Sequence, residues 1–148
     1  MELLFRNRIT NRKSLLRISI GIIYLWFGIL KLFPHVSPAE DLAKDTISLL
    51  TFGEISGTIS YTILAIWETA IGILLLFNRY LRITIIAALA HMSGTFAPLF
   101  ILSETTFHEL PTSLTLVGQY IMKNLVIVSA LITIIPQRKS TKKGSSIL

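Results

Sequence analysis

Cysteine is absent from the 148 residues. That excludes disulfides, zinc–thiolate centres, iron–sulfur ligation and any thiol redox step carried by this chain, and it leaves cysteine silent about compartment. Charge is scarce as well: Asp, Glu, Lys and Arg make up 15% of the residues, against about 25% in ordinary soluble domains. Acidic residues are the scarcest, 8 against 14 basic ones, for a formal charge of +6. No polar stripe at a period of 3.6 residues runs through the long apolar segments, as it would in a helix of a water-soluble bundle. What the chain has in abundance is apolar surface, 52% of its residues with a mean hydropathy of +0.68. Disordered chains are poor in such residues, so the composition excludes disorder. The length fits one domain.

Four apolar stretches, residues 15–33, 58–77, 81–101 and 115–136, are each close to the roughly 20 residues a helix needs to cross a hydrocarbon core. The expected fold is all-α, a four-transmembrane-helix bundle over residues 15–136, in contact with the lipid bilayer. Only Asn78, Arg79 and Tyr80 separate the second and third spans, so those helices are antiparallel neighbours. The other two loops are longer and polar.

Basic residues fix the orientation. Arg6, Arg8, Arg12, Lys13 and Arg17 lie in or beside a basic segment 1–14, Arg79 and Arg82 flank the tight link, and Arg138, Lys139, Lys142 and Lys143 fill a basic tail 137–148. With four spans all of these share one side, whereas Lys44 is alone on the other among six carboxylates. The positive-inside rule then places both termini in the cytoplasm of a multi-pass inner (plasma) membrane protein. The same placement accounts for the pI of about 9.9 by anionic headgroups and excludes nucleic acid as the partner. The first apolar run is too long for a signal-peptide core and is followed by no A-x-A-like site, so it is expected to remain as a helix.

The first outer loop carries Pro34, then Ser37-Pro38-Ala39-Glu40. Ser37 suits a helix N-cap and Pro38 a first turn. A short helix from about Pro38 to Leu50 follows, either interfacial across the outer mouth of the bundle or a plain connector.

Polar residues within the spans carry the functional information. At 1.5 Å rise per residue, Glu68, His91 and Lys123 fall within roughly 5 Å of one depth. An ionised group facing lipid there costs at least about 2.5–3.5 kcal/mol, so Glu68 and Lys123 are expected to turn inward and pair, with His91 and Asn124 completing hydrogen bonds. Gln119 and Lys123, and His91 and Thr95, are i, i+4 pairs that extend the seam. Lys31, about 10 Å outward of centre, reads as a snorkelling interface anchor. Tyr24, Trp26 and Trp67 lie too deep for an aromatic belt and are packing residues or the wall of a flat ligand's site. Ala90-xxx-Gly94, with Ala87 and Ala97, reads as close helix contact. The cluster itself is either polar glue that sets helix register or a ligand or proton site. A lone histidine without a second His or Cys is weak evidence for a metal, and nothing in the sequence supports haem held by a single His.

In order along the chain, YLWFGILKLFP with SPAE, WETAIGILLLFNRYLR, HMSGTFAPLF and VGQYIMKNLVIVSALITI resemble the DoxX-like membrane proteins, most nearly their YkgB-like branch. The resemblance runs from about Ile18 to Ile135. It implies a four-helix inner-membrane protein associated with redox complexes, including a thiosulfate:quinone oxidoreductase, and with resistance to oxidants. It carries over Lys31, Glu68, Gly72 and Lys123 as characteristic positions. Without cysteine, any sulfur chemistry belongs to a partner subunit. The expected role is an accessory or anchoring subunit of a membrane redox or oxidant-resistance system, quinone-linked, working with other subunits or as a homo-oligomer. A quinone-binding oxidoreductase subunit formed by Tyr24, Trp26, Trp67, Glu68, His91 and Lys123, and a small transporter or proton conductor, are the alternatives.

Overall fold

The computed structural model describes residues 2–33, 35–37, 40–109 and 112–136, with side chains from residue 11 onward. The basic tail 137–148, the side chains of Arg6 and Arg8, and Pro34, Pro38 and Ala39 at the expected start of the outer helix lie outside the described residues. Four helices are long and apolar enough to cross a membrane: Asn11–Leu30 within α1 (Glu2–Leu30), α3 (Gly57–Leu76), Leu81–Ile101, and α7 (Leu116–Ile134). The chain is a multi-pass helical membrane protein.

The spans differ from their sequence-based bounds for local reasons. Helix α1 begins at Glu2 instead of Leu15, because nothing in the basic segment breaks a helix, and it ends at Leu30 instead of Phe33. The third span is two pieces, α4 (Leu81–Thr95) and α5 (Pro98–Ile101). Here the ladder tightens to Phe96 N–H on Ser93 O and Ala97 N–H on Gly94 O, and Pro98 has no N–H with which to continue it. The link between α3 and α4 turns on Asn78 and Tyr80, both in left-handed backbone.

Glycine sets the closest helix contact. A Cβ at Gly28 would stand 2.6 Å from Thr69 N, and one at Gly72 would stand 2.5 Å from Leu25 N. Gly21 faces Leu76 in the same manner. These pairs run in opposite senses, so α1 and α3 are antiparallel, with backbones as close as small residues allow. Arg17 closes the end of this pair nearer the α3–α4 link by donating to the carbonyls of Leu75 and Leu76, the last of α3, where a cation also suits the helix dipole. The contact expected at Ala90 and Gly94 is not made: both are exposed and nothing lies within 4 Å of a Cβ at Gly94.

All four spans meet in an apolar core of Ile20 and Tyr24, Ile71 and Leu75, Ile85, Ala88 and Met92, and Leu131 and Ile134. It fills the half of the bundle nearer the α3–α4 link. The other half is finished by shorter elements. The short helix expected after the first span is α2 (Glu40–Leu50), packed on α3 and α5. After it come α6 (Ser103–Thr106) and a hairpin of β1 (Phe107–Glu109) and β2 (Ser113–Leu114), which sequence reading takes for irregular loop. Thr115 then N-caps α7 through Gly118 N–H at 3.2 Å.

Glu40 ties α2 down. Its carboxylate accepts from Lys44 Nζ at 2.5 Å and from the His35 amide at 2.7 Å, while Lys44 also lies 5.5 Å over the Tyr61 ring of α3. The Lys44 ammonium, then the His35 N–H, hold the Glu40 carboxyl below its ordinary range, and Glu40 in turn raises Lys44. A lowered carboxyl stabilises the docked state fully above the ordinary carboxylate range, and that contribution fades as pH falls through the lowered value. Amide-exchange protection in α2 is therefore expected to hold at neutral pH and to fall on acidification below about pH 4. Glu40→Gln should show that weaker protection already at neutral pH.

Candidate functional site

The register fixed by Gly28 and Gly72 carries Lys31, in the first turn beyond α1, to the level of Ile66, midway along α3. Lys31 is thus a buried group and not an interface anchor. The sequence-based depth treats every span as centred on one plane, whereas α1 is displaced toward its N-terminus. Lys31 Nζ donates to Glu68 Oε2 at 2.6 Å, with 7% and 8% of the two side chains exposed. The other carboxylate oxygen, Oε1, lies 3.1 Å from His91 Nε2 on α4. His91 Nδ1 is 3.2 Å from the Tyr24 hydroxyl of α1, which is itself 3.1 Å from Ala88 O. The Tyr24 and His91 rings meet edge to face with centroids 5.6 Å apart. Lys31, Glu68, His91 and Tyr24 form one chain of hydrogen bonds across α1, α3 and α4, which joins the apolar core at Tyr24.

Glu68 does not pair with Lys123. The buried positions of α7 are Gly118, Ile121, Leu131 and Ile134. Lys123, two residues past Ile121, is turned about 200° from it and faces outward. There it is exposed and lies 4.6 Å over the Tyr120 ring. Gln119 is also exposed and donates to Leu114 O of the hairpin. Asn124 turns inward but meets Thr95, at 3.1 Å, in a separate α7–α4 bond. Trp26 faces outward, 65% exposed.

Trp67 has a different setting. It lines a groove of about 450 Å³ between α2, α3 and α4, whose wall is formed by Ile47, Ile55, Ile63, Leu64, Trp67 and Ala90. Ser60 and His91 are its polar residues. The Trp67 indole N–H has no hydrogen-bond partner among the described residues, and Ser60 Oγ donates to Gly57 O at 3.0 Å. Sequence reasoning missed this groove because Ile47 and Ile55, in and after α2, build one side of it. Among the described residues no three of His, Asp and Glu converge as metal ligands.

A charged chain of hydrogen bonds at mid-depth, beside an apolar groove in a helical bundle with four spans, defines the class as a small multi-pass membrane protein with an intramembrane polar site. Comparison with protein families, curated proteins and solved structures finds no match.

Proposed function

We propose that this is an inner-membrane protein of the DoxX-like kind, an accessory or anchoring subunit of a redox or oxidant-resistance system, and that its groove takes the head group of a quinone. The observation that carries this reading is the groove itself: about 450 Å³ of nearly apolar space with a flat indole on its wall. That volume suits a small-molecule site, in which a few polar groups orient a mostly apolar ligand. A quinone head group is flat, lipid-soluble and bears two carbonyl acceptors. Trp67 offers it a ring face and a free N–H, and the Ser60 hydroxyl can turn from Gly57 O to serve a carbonyl. Both nitrogens of His91 are engaged and Lys123 points away, so the donors in this reading are Trp67 and Ser60. The apolar core that closes the opposite half of the bundle argues against a continuous polar path through the chain, which disfavours a proton conductor.

Organic extraction of the detergent-purified chain should recover about one quinone per protein if the site is specific. Ala90→Phe, which fills the groove from an exposed position on its wall, should abolish that recovery without loss of folded protein. No quinone, or equal recovery from both, overturns the reading. The basic clusters support an orientation with both termini in the cytoplasm. In this cysteine-free chain, Asp45→Cys and Glu104→Cys should then react with an impermeant reagent from outside and Arg79→Cys from the cytoplasmic face. The opposite pattern means that the chain is inverted.

A further inference from the structure

His91 sits between two neighbours of unlike hydrogen-bonding chemistry. Glu68 meets the Lys31 ammonium at 2.6 Å, and a carboxylate in such an ion pair only accepts. The Nε2 that faces it at 3.1 Å therefore carries a hydrogen. On the other side, Nδ1 faces the Tyr24 hydroxyl, which both donates and accepts. That hydroxyl has one hydrogen and two acceptors within reach, Nδ1 at 3.2 Å and Ala88 O at 3.1 Å. With His91 neutral, the Tyr24 O–H donates to Nδ1. With His91 cationic, Nδ1–H donates to the Tyr24 oxygen and the O–H turns to Ala88 O. The Tyr24 hydroxyl and each N–H of the His91 ring have an acceptor in both states, and no heavy atom has to move.

We infer that His91 is a reversible binding site for one proton, in which the Tyr24 hydroxyl is the moving part and turns from Nδ1 to Ala88 O as the proton arrives. The surrounding charges suit this. Lys31, just past α1, and Glu68 of α3 cancel, so the network passes from neutral to a single positive charge that touches the carboxylate directly. From α7, Lys123 faces away and lies over Tyr120. On α2, Glu40 and Lys44 are paired with each other. The groove reaches His91 and gives the proton an approach, while Ile20, Ile71, Leu75, Ile85 and Leu131 close the other side. The inference holds whatever occupies the groove.

The test is nitrogen NMR of the His91 ring in the full-length chain, with His35→Gln and His108→Gln removing the two exposed histidines. At alkaline pH the ring should be the Nε2–H tautomer with Nδ1 bare and hydrogen-bonded. Lowering the pH should protonate Nδ1, while the backbone signals of Ala88 and Met92 stay in place. Tyr24→Phe removes the partner of Nδ1 in both states, and because a hydrogen bond from the charged ring is worth more than one to the neutral ring, it should weaken proton binding about tenfold. If Tyr24→Phe fails to fold, the tautomer and titration of His91 with Tyr24 intact decide the matter. The inference is overturned by an Nδ1–H tautomer at alkaline pH, by an Nδ1 that stays bare as the pH is lowered, or by an unchanged proton affinity in folded Tyr24→Phe.

Discussion

Replacing Glu68 by Gln will destabilise the bundle by about 3–5 kcal/mol, the cost of leaving one partner of a buried pair charged and alone. The stranded charge is Lys31, whose ammonium is 2.6 Å from the carboxylate at a site that lipid and protein close to water. Adding Lys31→Met removes that charge, and the amide oxygen that Glu68→Gln introduces can still accept from His91 Nε2. The double variant should therefore recover at least about 2 kcal/mol relative to the sum of the singles. Adding Lys123→Met instead should recover nothing, because Lys123 lies outside the network over Tyr120, and distant sites add within about 0.5 kcal/mol. Unfolding in mixed micelles measures both cycles. Coupling of Glu68 to Lys123 and not to Lys31 would sink the assignment.

A comparable loss is expected from a single methyl group at the α1–α3 crossing. Gly72→Ala places its Cβ 2.5 Å from the backbone nitrogen of Leu25, and Gly28→Ala places its own 2.6 Å from Thr69 N. Backbone cannot swing aside as a side chain can, so the helices must part along their length. Overpacking of this kind costs about 1–3 kcal/mol at an ordinary core site, and the upper end is expected here because the same shift pulls Lys31 from Glu68. Gly94→Ala is the control: it has open space and should change stability by less than about 0.5 kcal/mol. Equal effects at Gly72 and Gly94 would show that the crossing is not built on glycine.

The spans were legible because length and unbroken hydropathy suffice to read them, and α2 because Leu42, Ala43, Ile47 and Leu50 follow a serine–proline start. Partners within the membrane were not legible. Lys31 is a neighbour of Glu68 only once Gly28 and Gly72 fix how far α1 slides along α3, a quantity that no spacing within α1 encodes. On α7, Gln119, Lys123 and Asn124 are polar on more than one face, so the inward face becomes clear only when Ile121, Leu131 and Ile134 are seen in the core. A small-xxx-small pattern occurs at Ala90 and Gly94, yet the intimate contact forms at Gly21, Gly28 and Gly72. The hairpin of Phe107–Glu109 with Ser113–Leu114 is too short for alternation to register. The groove needs Ile47 and Ile55 against Trp67 and Ala90, which only the folded chain brings together.

The groove and its occupant are tested most directly by the fluorescence of Trp67. The chain has two tryptophans, so Trp26→Phe leaves Trp67 as the reporter at the site. Titrating a short-chain benzoquinone into this variant in nanodiscs should quench the emission saturably, toward one quinone per chain. Ala90→Phe in the same background should remove the saturable part and leave only the linear quenching of quinone dissolved in lipid. Linear quenching of equal slope with and without Ala90→Phe would contradict a quinone site at this groove.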